Sequence, residues 1–315
     1  MMRIYKSFPV ICIIIFIIMF TYYNIRTLEY ALFRTIEVLT VHENYNVGVI
    51  GHAPPQEESE RLWEFVHKLQ YQCKKSARIG GNSHNGDGSY EICFEDKYWP
   101  LQSSSSHKCL VYSFGIGGDI SFDEALANKG CEVHSFDPST KWEDGRVFPS
   151  GVTFHKIGIS DKDLDADESG WKMRTLQTIL KELGHSGRVL DVLKVDTDAP
   201  DGGGFEDRLM QELLDTGLHR CVRQLTMEIH IPGPISRPKW LNRCRTVYQQ
   251  MMQMNDKGYK TFNVTDNVRY LQTIFKDPTI TGEKNVRPYL AYGINTALWE
   301  ITQVNTQVTD TCVVK

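Results

Sequence analysis

The stretch from Cys109 to Pro138 constrains the fold more than any other. It runs as an apolar segment, a glycine loop, a short helical segment and a second apolar segment that ends on an acid. Cys109–Phe114 has strand character. Tyr112-Ser113-Phe114-Gly115-Ile116-Gly117-Gly118-Asp119 follows, and glycines at such a junction let the backbone turn tightly and approach a ligand closely. Ser121 to Lys129 reads as a helix, with Ser121 and Glu124 spaced as a capping box and Gly130 as its stop. Cys131–Phe136 is a second strand, ending at Asp137-Pro138. Asp137 stands 22 residues after Gly115, where nucleotide-type sites place a carboxylate against ribose hydroxyls.

The alternation continues downstream. Val152–Ile157 reads as a third strand, ending before Ser160 and Asp161. Met173–Leu183 reads as a helix stopped by Gly184, and Leu190–Val195 as a fourth strand ending at Asp196. Phe205, Leu209 and Leu213 mark a helical face stopped by Gly217. Leu225, Met227, Ile229 and Ile231 alternate with polar residues as a fifth strand. A helix over Leu241–Asp256 and two late strands, Tyr259–Asn263 and Ala297–Val304, complete the series. Strands alternating with helices predict an α/β fold: a Rossmann-like, doubly wound, mostly parallel seven-stranded sheet with helices on both faces.

The ligand class follows from what the glycine loop lacks. A dinucleotide fingerprint counted from Gly115 needs glycine or alanine at 120, where Ile120 stands, and no P-loop Lys-Ser/Thr follows. A G-x-G-G loop with a distant ribose-binding acid suits S-adenosylmethionine, which carries an amino acid in place of phosphates. Gly115, Gly117 and Gly118 are expected against its methionine part, Asp137 against the ribose, and Ser160 and Asp161 near the adenine. Asp196 is expected where donor and acceptor meet. Glu228 and His230 share one face of the fifth strand, and His230 is expected to take a proton from the acceptor. No metal is required, because the sulfonium already activates its methyl group. Trp142 and Trp171 are candidate pocket walls, and His134 and His155 read as structural.

These residues bring a family into view. Cys109 through Ile116, Ser121-Phe122-Asp123 and Phe136-Asp137-Pro138 resemble the methyltransferase-like protein 24 family. Gly80-Gly81 with Asp87-Gly88-Ser89-Tyr90-Glu91-Ile92-Cys93 resembles its upstream segment. Leu193-Lys194-Val195-Asp196 and Glu228-Ile229-His230 are similar to later motifs shared loosely with FkbM-type methyltransferases. The resemblance, over roughly residues 70–304, implies a Rossmann-like, S-adenosylmethionine-dependent methyltransferase. The segment from Asp196 to Gly204 departs from the family pattern, being longer, more acidic and richer in glycine. Its Asp196-Thr197-Asp198 supports an alternative, a D-x-D glycosyltransferase holding Mn²⁺ and a nucleotide sugar. A second alternative is a catalytically inactive interaction module of the same fold.

The N-terminus points to a membrane. No charge occurs from Ser7 to Ile25, and Phe8 to Tyr23 is almost entirely apolar or aromatic, just long enough to cross a thin bilayer. Arg3 and Lys6 before it keep the N-terminus cytoplasmic. The expected organisation is a cytoplasmic tip and signal-anchor helix over 1–25, a stem and linker over 26–60, and a methyltransferase domain over 61–315. The domain divides into an extension, 61–108, and a Rossmann-like core, 109–315. The chain is then a single-pass type II membrane protein facing the ER or Golgi lumen, or a secreted one if the segment is cleaved.

Beyond Ile25 the charge is 33 Lys+Arg against 39 Asp+Glu, a net of −6. The chain's net charge of −4 argues against a general nucleic-acid binder, and lumenal placement favours glycans, secreted proteins or lipids as acceptors by access. Seven of the eight cysteines also lie there, where disulfides form. Cys73 and Cys93 enclose a turn-rich loop that a disulfide would staple. An odd count leaves at least one thiol free or paired between chains. Asn263-Val264-Thr265 matches a glycosylation sequon.

Overall fold

The computed structural model describes residues 53–81, 88–100, 108–199, 203–231, 237–267 and 297–312. The expected signal anchor and most of the stem lie outside these residues. Among the described residues no helix is long and apolar enough to cross a membrane. The first element, helix α1 (Pro55–His67), already begins within the stretch expected to be linker. Proline at its first turn, Glu57 and Glu58 beside the N-terminus, and the buried stripe of Leu62, Trp63 and Val66 explain why it forms there.

A short antiparallel hairpin follows, β1 (Ser76–Ile79) with β2 (Tyr90–Cys93). The core then runs β3 (Leu110–Phe114), α2 (Ser121–Ala127), β4 (Glu132–Phe136) and β5 (Thr153–His155). A small parallel pair, β6 (Gly158–Ile159) and β7 (Met173–Arg174), precedes α3 (Leu176–Glu182) and β8 (Leu190–Val195). The chain continues through α4 (Glu206–Thr216), β9 (Val222–Ile231), α5 (Pro238–Asp256), β10 (Tyr259–Asp266) and β11 (Ala297–Asn305).

Seven of these strands form one sheet in the order β10-β11-β9-β8-β3-β4-β5. β9, β8, β3, β4 and β5 pair in parallel, and β11 runs antiparallel to both neighbours. The expected mostly parallel, seven-stranded sheet is present. Every residue of β3, β8 and β9 is buried, as parallel strands covered on both faces require.

One face carries α1, α3, α4 and α5, whose Leu62, Leu176, Leu209, Met210, Leu213 and Val247 join a single core with β3, β8 and β9. Each such side chain contributes roughly 1.5–3 kcal/mol by leaving water. The opposite face differs from the expected pair of helical layers. It is covered by α2 together with the β1–β2 hairpin, through Phe122, Leu126, Ile79, Tyr90 and Ile92.

Two local expectations fail for identifiable reasons. Ser121 lies inside the first turn of α2. Ile120 occupies the cap position, and the Asp119 carboxylate accepts the Ser121 N–H at 2.8 Å, so no capping box forms. Met173 is not helical. It pairs with Gly158 in β7, and α3 starts only after Thr175, whose hydroxyl accepts the Thr178 N–H.

Three disulfides staple the domain. Cys73–Cys93 closes the turn-rich loop, Cys109–Cys131 ties the entrance of β3 to that of β4, and Cys221–Cys312 fastens the C-terminal segment to β9. Loops of this size give each bridge roughly 3–5 kcal/mol in the chain-entropy account. Cys244 is the free thiol among the described residues, buried in α5. Asn263 of the sequon lies half-buried in the edge strand β10.

Candidate active site

The strand order reverses between β3 and β8, and open α/β sheets bind ligands in the crevice outside that point. A cavity of about 580 Å³ opens there, within the usual range for cofactor pockets. Its two ends differ in chemistry.

At one end the glycine loop leaves β3. Gly115 adopts a left-handed backbone, and a Cβ there would lie 1.6 Å from the Asp196 carbonyl oxygen. This glycine is therefore required by the close approach of two strand ends. Gly117 also has positive φ and faces open space. Both line the cavity, whereas Gly118 does not. Asp137, at the tip of β4, is 4% exposed. Its Oδ2 accepts the N–H groups of Ile116 and Gly117 at 3.1 and 2.9 Å, and its Oδ1 accepts the N–H and hydroxyl of Ser139 at 2.8 and 2.6 Å. The carboxylate thus holds the loop in place while lining the cavity. A ribose hydroxyl would compete with Ser139 for Oδ1.

Beyond Asp137 the wall is apolar, made by Pro138, Gly158, Ile159, Trp171 and Met173. Ser160 and Asp161, expected here, do not line the cavity. The Ser160 hydroxyl donates to Asp161 at 3.2 Å, one step past the wall formed by Gly158 and Ile159. Trp171 is the tryptophan that serves as wall. Trp142 packs edge-on against Phe148 and Phe154.

The other end is charged. Asp196, Thr197, Asp198, Glu228, His230 and Lys194 all line it. Lys194 is 3% exposed. It donates to the Gly115 carbonyl at 2.7 Å and pairs with Asp196 at 3.4 Å. Asp123 of α2 faces the same space. Burial raises its pKa to about 6, against the opposing pull of Lys194 and the Ser135 hydroxyl.

His230 is enclosed by carboxylates. Its Nε2 lies 3.1 Å from Glu228 and 3.3 Å from Asp198, and its Nδ1 lies 3.6 Å from Glu206. Burial alone would lower its pKa, but hydrogen bonds to Asp198, Glu206 and Glu228 outweigh burial and hold it well above the ordinary histidine value. That shift disfavours the neutral imidazole which the expected base role requires. Glu228 is shifted the other way from an ordinary carboxylate: burial and the nearby charge of Asp196 raise its pKa. Of the expected reacting groups, Asp196 and Glu228 are the ones placed to receive a proton.

Lys194, Asp123 and Glu206 were not singled out as site residues by sequence reasoning, and Asp198 entered only through the D-x-D alternative. For Lys194 a signal existed: it is the one cation in an otherwise largely apolar strand, Leu190–Val195. Glu206 offered none, since an acid in the first turn of a helix is ordinary.

Comparison with known proteins shows the family. A family model described as a methyltransferase domain matches residues 29–276. The chain belongs to this methyltransferase-domain family. The probable methyltransferase-like protein 24 of Rattus norvegicus is 27% identical over 233 residues, covering 70% of this chain and 61% of that protein. The Homo sapiens protein of the same name is 26% identical, covering 66% and 57%. The chain thus spans about three fifths of the length of these curated relatives. Among solved structures, a chain titled StiE O-MT is similar with 12% identity and a TM-score of 0.29, covering 65% of this chain and 71% of that one. A score this low leaves the fold to be judged from the sheet itself. Membership in the methyltransferase-domain family takes the place of the glycosyltransferase alternative, and it gives the glycine loop and Asp137 a use that a D-x-D site would not.

Proposed function

We propose that the chain transfers a methyl group from S-adenosylmethionine to an acceptor that enters at Asp196 and Glu228. The observation that carries this reading is the two-ended cavity at the switch point. A glycine loop braced by a carboxylate and an apolar wall stand at one end, and a cluster of buried acids at the other. The donor's adenine would lie against Ile159, Trp171 and Met173, its ribose at Asp137 and its methionine part along Gly115 and Gly117. That orientation points the sulfonium methyl towards Asp196.

In the transfer the acceptor's lone pair forms the new bond to the methyl carbon. The carbon–sulfur bond breaks, and its electron pair returns to sulfur as the neutral thioether. The acceptor's proton passes to a carboxylate, Glu228 or Asp196. The protein contributes mainly alignment and exclusion of water.

The same reading places the domain in the secretory lumen behind an N-terminal signal anchor over 1–25. Three disulfides among the described residues support an oxidising compartment, and acceptors accessible there are glycans, proteins or lipids. Equilibrium dialysis of radiolabelled S-adenosylmethionine against the full chain tests the donor assignment. One equivalent should bind, and Asp137→Ala should weaken binding at least tenfold. Absence of binding to folded wild-type protein would overturn the reading. Binding indifferent to Asp137 would overturn the donor's placement.

A further inference from the structure

We propose that Asp196, Glu228 and His230 form a divalent-cation site, and that the cation holds the acceptor as a hydroxyl oxygen beside the methyl donor. This deepens the methyl-transfer reading and rests on it. One carboxylate oxygen from each acid and one imidazole nitrogen lie within 4.8 Å of one another. The His230 Nε2 to Glu228 separation of 3.1 Å is close to the roughly 3–3.5 Å expected between neighbouring ligand atoms about 2.1 Å from one metal.

Lys194 already pairs with Asp196 at 3.4 Å, and two features point to room for a further positive charge beside Glu228. Glu228 is 7% exposed, and its partners are His230 and the Asn267 amide, with no lysine or arginine among the described residues paired to it. Across the sheet, Glu300 stands in register with Glu228 and is itself buried, with Arg78 at 2.9 Å. The Tyr90 hydroxyl, 2% exposed, faces Asp196, Glu228 and Glu300 without an aligned hydrogen bond.

The imidazole is also aimed. Glu206, 1% exposed, keeps Oε1 on Arg243 and the His230 N–H and turns its otherwise unbonded Oε2 towards His230 Nδ1. A Cβ on Gly204 would sit 1.9 Å from that oxygen and 2.7 Å from Nδ1, so the chain is bare where these groups meet. The Glu228 main-chain carbonyl 3.1 Å from Nδ1, with the Glu206 carboxylate behind it, fixes the other ring nitrogen towards a metal. Ligation needs Nε2 unprotonated, so cation binding would be coupled to proton release. A mixed carboxylate–imidazole set suits Mn²⁺ or Zn²⁺ better than Mg²⁺ alone.

The chemical gain is specific to oxygen acceptors. A hydroxyl bound to the cation loses its proton more readily. That proton would pass to Asp198, which lines the cavity and is open to solvent. The bound oxygen then attacks the methyl carbon, and sulfur takes the electron pair as before.

Titration of the metal-stripped full chain with Mn²⁺, read by loss of the free-ion electron paramagnetic resonance signal, tests the site. One Mn²⁺ should bind per chain, and Zn²⁺ should displace it. Glu228→Gln and Asp196→Asn should each weaken binding more than tenfold. Glu206→Gln, a positioning change, should weaken it about tenfold. Glu132→Gln, in the other histidine–carboxylate cluster, should leave it unchanged. Near-ultraviolet circular dichroism identifies any variant that fails to fold, and then the remaining variants decide. No Mn²⁺ binding at millimolar concentration, or equal binding by folded Glu228→Gln and Asp196→Asn proteins, overturns the site. Donor binding measured on the same stripped protein separates the two claims. Donor without Mn²⁺ removes only the cation site, whereas Mn²⁺ without donor removes the methyl-transfer reading.

Discussion

The molecule contains two histidine–carboxylate clusters that handle the same groups in opposite ways. At the cavity, one imidazole, His230, meets three carboxylates and is pushed strongly towards its charged form. Towards the other end of the sheet, His134 and His185 meet a single carboxylate, Glu132, and His155 stacks on His134. Arg188 already claims that acid at 2.7 Å, and its hydrogen bond, with one from His134, overcomes burial to lower the Glu132 pKa to about 2. Burial therefore dominates the three rings and drives them neutral. His155 falls to about 4, with the neighbouring His134 adding to the effect. His134 and His185 move the same way, in each case chiefly through burial. The ratio of unclaimed acids to rings, rather than burial as such, decides the charge. An excess of acid marks the end of the sheet where chemistry is expected. An excess of rings marks a place where they stack and the Tyr112 hydroxyl reaches His185 at 2.7 Å.

The contrast can be broken experimentally. The largest effect is expected for Glu206→Leu, which removes a buried partner of Arg243 and His230. It should cost about 3 kcal/mol in urea denaturation, held to that level because Asp207 still pairs with Arg243. The pH dependence should be smaller and of opposite sign in the two clusters. The neutral rings have folded pKa values below their unfolded values, so the unfolded chain binds protons first. Their stabilisation is present above about pH 6.5 and is lost as pH falls towards 4. His155→Phe should flatten that acid limb by on the order of 1–2 kcal/mol, after discounting for the ring's partial exposure. His230 should behave in reverse. Its raised pKa adds stability that is present at low pH and fades as pH rises above its folded value, which His230→Gln would abolish. The smallest change is expected for Glu132→Gln. This ion pair is partly exposed, and its loss should cost less than about 1 kcal/mol.

Much of the fold was legible along the chain. Buried parallel strands are short apolar runs, and helix stops such as Gly217 stand out because only glycine readily takes the left-handed backbone found there. Errors arose where local chemistry offered two solutions. Ser121 and Glu124 have the spacing of a capping box, yet Asp119 reaches the helix end first. Met173 has helical neighbours, but pairing with Gly158 claims it. Within the site, Gly115, Asp137, Asp196 and Glu228 were placed by the rule that functional groups gather at strand ends. Gly118, Ser160 and Asp161 obey the same rule and still miss the cavity by one residue or one turn of direction.

Local periodicity determined that this chain alternates strands and helices around a glycine loop. Motif spacing then singled out Asp137 as the acid answering that loop. Tertiary structure alone decided that Glu206, His230 and Asp198 converge. It also decided that Cys221 meets Cys312 across 91 residues and that carboxylates hold the His230 pKa above the ordinary histidine value. The reason is physical. Periodicity and turn chemistry act between near neighbours, whereas a buried group's charge depends on every element packed against it.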